Sequence, residues 1–258
     1  MSRDVLAQYL SAVRIALDAI EATQLAAVRT AAGRFARSIL AGRLVHVFGT
    51  GHSRMAVEEV FPRYGSFPGF HPIVELSMTF HNPVIGANGQ RQAMFLENVQ
   101  GFGPVLWRNF ATSPDDCLLA ISTSGCSAVT IDVSLEAKRR GMFVVALTSL
   151  PHSRVSTPKH ESGKKLEEVA DLVIDQCAPP GDSAVWVDGL ETPVAPVSSV
   201  SGCTVINLIK AEVARLLTEA GQPPKVLTAA CHLGDERARD LFEATYDDYR
   251  RRVGVLYQ

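Results

Sequence analysis

Two hydrophobic periodicities divide the chain into an amino-terminal part and a longer remainder. Over residues 3–22 and 24–41, apolar residues recur at the spacing of one face of an α-helix. Gly42 follows, and glycine commonly ends a helix. From residue 43 onward, short runs rich in Val, Ile and Leu alternate with segments of helical spacing. The pattern predicts two amino-terminal helices followed by alternating strands and helices.

The short apolar runs have the length and composition of buried strands. They are RLVHVFG (43–49), PIVEL (72–76), CLLAIS (117–122), MFVVALTS (142–149) and DLVID (171–175). Strands that alternate with helices form a parallel sheet covered on both faces. We therefore predict one doubly wound α/β domain with a helical amino-terminal extension.

The segments between and after these strands complete the prediction. Helices are expected at 53–61, 91–111, 127–141, 164–170, 201–221 and 235–252, and loops at 81–90 and 178–197, the second with a hairpin around AVWVDGLETPV. Ser198, Ser199 and Ser201 open the long helix near residue 201, where they contact a ligand or act as helix caps. His71 and His81 flank the second strand, where they could reach a subunit interface.

Composition narrows the class of protein. The 258 residues include 25 Lys and Arg against 27 Asp and Glu, a net charge of −2 without a basic stripe, which argues against a nucleic-acid partner. No apolar run approaches the roughly 18 residues of a membrane span, and the amino terminus does not resemble a signal peptide. Five dispersed cysteines without a Cys-x-x-Cys pair indicate reduced thiols. We expect a cytoplasmic protein without a membrane partner.

Two turns that join a strand to a helix carry unusual chemistry. The first is GTGHS (49–53), in which two glycines permit a tight turn and Ser53 lies at a helix start. The second is ISTSGCS (121–127), which places four hydroxyls and a glycine at the next such junction. Ligands of open α/β sheets bind at the carboxyl ends of the strands, and free N–H groups at a helix start attract phosphate. The turns therefore predict a phosphate site, with helix capping as the alternative.

Neither turn matches the common nucleotide motifs. Both lack the lysine of a P-loop. Arg54 also stands where a dinucleotide fingerprint would have its third glycine.

The paired motifs resemble those of the sugar isomerase (SIS) domain, which phosphoheptose isomerases and N-acetylmuramic acid 6-phosphate etherases share. The resemblance covers roughly residues 40–220, and EAKRRG, SGKKL, ADLVID and PPGDSAV are similar to an uncharacterised bacterial family with this domain. It implies a five-stranded parallel sheet of flavodoxin-like type, dimers or tetramers, and a phosphosugar ligand. The spacing of the potential ligand residues matches no metal motif, and we expect neither a metal nor a cofactor. Carried over by motif, the ligand-binding residues are Gly51, Ser53, Ser122, Thr123, Ser124 and Ser127. The domain would span residues 42–222, between amino-terminal helices (1–41) and a helical tail (223–258).

Candidate acid–base residues are less well defined. Moving a proton between neighbouring sugar carbons requires a base and a proton donor. Glu59, on the helix after the first turn, is the preferred base, although Glu58 with Arg54 and Glu59 with Arg63 are spaced as helical ion pairs. The resemblance would place the base at position 63, which is Arg63.

Histidines are the other candidates, because imidazole titrates near neutral pH. His52 lies in the first turn, and His152 and His160 lie in a loop after a strand, with His160 the preferred one of that pair. Phosphoheptose isomerases also use a histidine from a late helix. The corresponding helix here offers Lys210 and Glu212 instead.

The sequence therefore predicts a phosphosugar-binding protein. An enzyme that isomerises a sugar phosphate, or cleaves one as a lyase or etherase, is the preferred function. A non-catalytic sensor of a sugar phosphate is the alternative, disfavoured because the first 40 residues lack a helix-turn-helix pattern.

Overall fold

A five-stranded parallel sheet forms the centre of the protein. The computed structural model describes residues 4–79 and 89–258. The strands of the sheet are β1 (Val45–Gly49), β2 (Phe70–Ile73), β3 (Cys117–Ile121), β4 (Phe143–Thr148) and β5 (Leu172–Asp175). Their order is β2-β1-β3-β4-β5, and every neighbouring pair is parallel. The order reverses between β1 and β3, as in flavodoxin-like sheets.

Helices cover both faces of the sheet. They are α1 (Val5–Thr23), α2 (Leu25–Leu40), α3 (Arg54–Val60), α4 (Leu76–Thr79), α5 (Gly89–Leu96), α6 (Phe102–Trp107), α7 (Ala128–Arg139), α8 (Leu150–Val155), α9 (Leu166–Val169), α10 (Ser198–Glu219), α11 (Ala230–Leu233) and α12 (Asp235–Val253). A short antiparallel pair, β6 (Ser183–Val185) and β7 (Val194–Pro196), precedes α10. The predicted α/β fold with a parallel sheet is confirmed.

Successive strand residues point to opposite faces and belong to two separate cores. Leu119 and Ile121 of β3 pack with α2, α3 and α10, whereas Leu118 and Ala120 pack with α6 and α7. Both sets are buried, so the strands read as continuous apolar runs in the sequence. Phe35 of α2 lies in the first core, so the amino-terminal helices share the core of the sheet. The division of the chain at residues 41 and 222 remains a prediction.

Several boundaries differ from the sequence-based prediction. β2 begins at Phe70, two residues early, and ends at Ile73, because Glu75 accepts hydrogen bonds from Ser77 and starts a helical turn. Helix α10 begins at Ser198, and α8 follows β4 where a loop was predicted. The loop predicted at 81–90, with His81, lies outside the described residues except for the first two residues of α5. Within the described residues, no helix is long and apolar enough to cross a membrane.

A buried polar cluster lies near the amino edge of the sheet. Nδ1 of His46 is 3.0 Å from Nδ1 of His71, and His46 Nε2 is 3.7 Å from Asp116 Oδ2. Burial and the neighbouring His46 lower the pKa of His71 to about 3, against an opposing effect of Asp116. Burial alone would raise the pKa of Asp116. The His46 imidazole, the Arg43 guanidinium and two backbone N–H groups outweigh burial and hold that pKa below its usual range.

We predict that acidification destabilises the protein through this cluster. His71 stays neutral in the folded state but binds a proton in the unfolded state below its ordinary pKa of about 6.5, so the unfolding free energy falls as pH decreases below that value. The Asp116 contribution is lost on further acidification, which has the same sign. At pH 5 the His71 effect is on the order of 2 kcal/mol. Urea unfolding at pH 7.5 and pH 5 measures it.

Substitution isolates the contribution of His71. The loss on acidification is expected to shrink in His71→Gln and to persist in the control His232→Gln, because His232 is exposed. An equal loss in all three proteins would show that His71 does not set the acid sensitivity.

Candidate functional site

The two polar turns lie side by side where the strand order reverses. Gly49 at the end of β1 is in register with Ile121 at the end of β3. The turns that follow both open onto a cavity of about 310 Å³ at the carboxyl edge of the sheet. All six residues predicted to bind a phosphosugar line this cavity: Gly51, Ser53, Ser122, Thr123, Ser124 and Ser127.

Glycines allow the two turns to approach each other. A Cβ on Gly49 would lie 3.1 Å from the backbone oxygen of Ser53 and 3.2 Å from that of Ile121. Gly125 has a φ of +65°, and a Cβ there would lie 2.9 Å from Oε2 of Glu167. Larger residues at these positions would push the turns apart or strain the second turn.

The second turn presents neutral hydrogen-bond donors. Oγ of Ser122 accepts from the N–H of Gly125 (3.2 Å), and Oγ of Ser124 accepts from the N–H of Cys126 (3.3 Å). Each hydroxyl is an acceptor within the loop, so its own O–H remains available as a donor. Within the described part of the chain, the backbone N–H groups of Thr123, Ser124 and Ser127 have no protein acceptor. This loop can bind an anion without a cationic side chain.

Helix capping does not account for the two serines at the helix starts. Ser53 and Ser127 occupy the N-cap positions of α3 and α7, yet neither side chain accepts a capping hydrogen bond from a backbone N–H of its own helix. Oγ of Ser127 instead donates to the backbone oxygen of Glu97 (3.0 Å).

Glu97 connects the two turns, and the sequence analysis missed it. Its carboxylate Oε2 accepts from the hydroxyl of Thr50 in the first turn (2.8 Å). Its backbone oxygen accepts from Ser127 and from the N–H of Val129, both at 3.0 Å, at the second turn. Glu97 is one of the residues that line the cavity. No motif marks Glu97, because its partners lie 47 and 30 residues away in the chain.

Two histidines also line the cavity. His52 is exposed in the first turn. His152 lies near the start of α8, where its backbone N–H donates to Oγ of Ser149 (3.2 Å). Nδ1 of His152 is buried and has no hydrogen-bond partner among the described residues.

Asp182 and Ser198 complete the polar lining. Oδ1 of Asp182 accepts from the N–H of Ser198 (2.7 Å), and Oδ2 accepts from its hydroxyl (2.6 Å). The sequence analysis left ligand contact or capping open for Ser198. The structure places it in the cavity, bound to a carboxylate that follows PPG in the chain.

Glu59 and His160, predicted to be catalytic, do not line the cavity. The carboxylate of Glu59 contacts Arg63 and accepts from Nδ2 of Asn207 (2.7 Å), so it faces α10. The ring of His160 is 3.0 Å from Asp132 and 2.7 Å from Ser162. Sequence proximity to a turn was a poor guide here, because α3 directs Glu59 toward its neighbouring helix.

The part of the cavity lining that the structure describes is polar and contains two acids. Among the described residues that line it, Glu97 and Asp182 are acidic and none is Lys or Arg. Within the same described part of the chain, no group of three His, Cys, Asp or Glu side chains is arranged to hold a metal ion. Burial raises the pKa of the Cys126 thiol, which keeps it protonated as a packing residue.

Comparison with known proteins identifies a family model, full-length relatives and a solved structure of similar fold. A family model described as SIS domain matches residues 8–149. A UPF0309 protein of Thermoanaerobacter pseudethanolicus is 32% identical over 257 residues, covering 98% of this chain and 100% of the relative. Another from Oceanobacillus iheyensis is 33% identical over 241 residues, covering 93% and 96%. A phosphoheptose isomerase structure from Francisella tularensis matches with a TM-score of 0.51 at 17% identity, covering 82% and 97%, which supports the fold.

Proposed function

Because the chain belongs to the SIS-domain family and is related along its whole length to UPF0309 proteins, we propose that its cavity binds a sugar phosphate and moves a proton on the bound sugar. The product would be the isomeric sugar phosphate. If a substituent on the carbon next to the carbanion leaves instead, the product would be an unsaturated sugar phosphate. Glu97 replaces Glu59 as the proposed base.

The convergence of both turns and Glu97 on one cavity supports this proposal. The phosphate is bound by the free N–H groups of Thr123, Ser124 and Ser127 and by the hydroxyls of Ser122 and Ser124. Helix α7, which has twelve residues and starts at this loop, adds the positive end of its dipole. Neutral donors suffice because several backbone N–H groups and hydroxyls at one helix start can bind the phosphate together.

The phosphate then fixes the sugar beside the acid–base groups. Binding energy from a non-reacting phosphate holds the reacting carbon in place, which lowers the entropy cost of the transition state. Glu97 takes the proton from the carbon next to the carbonyl, and a proton is returned to the neighbouring carbon. The Thr50 hydroxyl and the second turn hold Glu97, so its carboxylate is positioned before the substrate arrives.

Protonation of the sugar's carbonyl oxygen during the reaction requires a second acid–base group. As the carbanion forms, the carbonyl oxygen becomes an enolate, and a proton donor must neutralise it. His152 lines the cavity from α8, and His52 lines it from the first turn. We assign this proton shuttle to His152, with His52 contacting the sugar. None of the described lining residues is a Lys or Arg that could bind the phosphate. The carboxylates of Glu97 and Asp182 can accept hydrogen bonds from sugar hydroxyl groups, so the cavity favours ligands rich in hydroxyls.

A thermal-shift screen tests phosphosugar binding. A ligand that binds only the native state raises the melting temperature according to RT ln(1 + [L]/Kd). We expect a rise with at least one sugar phosphate and none with the matching free sugar. Ser124→Ala removes one hydroxyl donor, so affinity should fall roughly tenfold.

Ser156→Ala is the matched control, because its hydroxyl donates to the backbone of His152 and lies outside the cavity lining. Equal shifts for a sugar phosphate and its free sugar, or equal affinities of the Ser124→Ala variant and the control, would contradict phosphate binding by the second turn.

A further inference from the structure

Ser162, His160 and Asp132 form a hydrogen-bonded array that the proposed function does not use. Oγ of Ser162 is 2.7 Å from Nδ1 of His160, and Nε2 of His160 is 3.0 Å from Oδ1 of Asp132. None of the three residues lines the cavity between the two turns. Asp132 lies on α7, whereas the other two lie on the loop before α9.

The hydrogen bonds determine the tautomer of His160. Its Nδ1 accepts from the backbone N–H of Ser162 (3.1 Å), so this nitrogen carries a lone pair. Nε2 then carries the ring proton and donates it to Asp132. The Ser162 hydroxyl, with its Oγ 2.7 Å from Nδ1, is the second donor to this lone pair and shares it with the backbone N–H. Serine, imidazole and carboxylate are therefore joined in the order that activates a serine nucleophile.

The three residues of the array differ in their exposure to solvent. His160 and Asp132 are each 8% exposed, so the imidazole is held in one orientation. Ser162 is exposed, so its Oγ is open to reagents from solvent. The second carboxylate oxygen of Asp132 is buried and has no hydrogen-bond partner among the described residues. A buried carboxylate beside imidazole stabilises the imidazolium that forms when the serine loses its proton.

We propose that Ser162 is a nucleophilic serine that accepts acyl groups from esters. Oγ attacks the ester carbonyl carbon and forms a new C–O bond while its proton moves to Nδ1 of His160. The bond to the ester alcohol then breaks, and that alcohol leaves with the proton from Nδ1. Water, deprotonated by the same nitrogen, cleaves the acyl-serine to the carboxylic acid and restores Ser162.

The local backbone supports this step. The N–H of Lys164 donates to Oγ of Ser162 at 3.3 Å, so it stabilises the negative charge that develops on this oxygen as its proton leaves. Gly163, with a φ of +69°, permits the sharp turn that brings this N–H back toward Oγ.

Labelling with a fluorophosphonate and acetylation by p-nitrophenyl acetate test the proposal, with peptide mapping of the modified residue. We expect modification at Ser162 in the wild-type protein and its absence in Ser162→Ala, which should fold normally because the side chain is exposed. Asp132→Asn is expected to slow labelling on the order of 10²-fold, because the imidazolium loses its counter-charge.

Ser156→Ala, in the preceding part of the same segment, is the matched control and should label at the wild-type rate. Modification elsewhere, with Ser162 unmodified, would overturn the proposal. So would labelling of Ser162 at equal rates in wild-type protein and a folded Asp132→Asn variant. The labelling does not depend on a sugar phosphate, so its result is independent of the proposed function of the cavity.

Discussion

Replacing Glu97 with glutamine is expected to abolish proton transfer while leaving sugar-phosphate binding intact. Glutamine keeps an oxygen that can accept from the Thr50 hydroxyl, and the backbone contacts to Ser127 and Val129 are unchanged. The amide cannot remove a proton from carbon, so the rate should fall by about 10²–10⁴-fold. The measurement is incorporation of solvent deuterium into the sugar phosphate identified by the thermal-shift screen, followed by NMR.

Glu59→Gln is the matched control for this prediction. Glu59 contacts α10 and does not line the cavity, so exchange should continue near the wild-type rate. Exchange lost in Glu59→Gln and retained in Glu97→Gln would reverse the assignment. Binding without deuterium incorporation in the wild-type protein would favour the sensor alternative.

The largest expected effect on stability comes from Gly103→Ala. Gly103 lies in α6, where that helix crosses α7, and a Cβ would come within 2.4 Å of the backbone nitrogen of Val133 and 2.6 Å of Asp132. Backbone atoms cannot rotate away, so the helices must separate. The bond from Trp107 Nε1 to the Val133 oxygen (2.9 Å) would be strained as well. We expect a loss of about 3 kcal/mol in urea unfolding.

Gly33→Ala provides a control of opposite sign. Gly33 lies within α2, and a Cβ there meets no atom within 4 Å. Alanine should stabilise this helix by roughly 0.5–1 kcal/mol, because glycine loses more backbone entropy on folding. If both variants had the same unfolding free energy, the close approach of α6 and α7 would be incorrect.

The fold was predictable because burial on both faces leaves a local signature. The residues of β3 and β4 form apolar runs, and the β3 run is followed by the helical pattern of α7. The boundaries that were predicted wrongly, at α8 and at the end of β2, each depend on a single side-chain contact. Helix α8 begins at a Ser149 cap and is about one and a half turns long. It is therefore too short to show a helical periodicity of apolar residues in the sequence. The end of β2 is set by a side-chain contact at Glu75 that no propensity encodes.

The candidate site was predictable only in part, for a related reason. The hydroxyl-rich turns are contiguous in sequence, so the phosphate loop that we propose could be predicted from their composition. Glu97 comes to the cavity through contacts with Thr50 and Ser127, which only the tertiary fold brings together. Local spacing favoured Glu59 and His160, but helix orientation turns the first away and a bond to Asp132 turns the second away. Self-association as a dimer or tetramer and a cytoplasmic location remain predictions.

The most direct test of the central claim is a crystal structure with the sugar phosphate that gives the largest thermal shift. We predict phosphate oxygens within hydrogen-bond distance of the N–H groups of Thr123, Ser124 and Ser127, and a sugar carbon next to the carbonyl facing the carboxylate of Glu97. A phosphate bound elsewhere, with the second turn unchanged and its N–H groups still without an acceptor, would contradict the account.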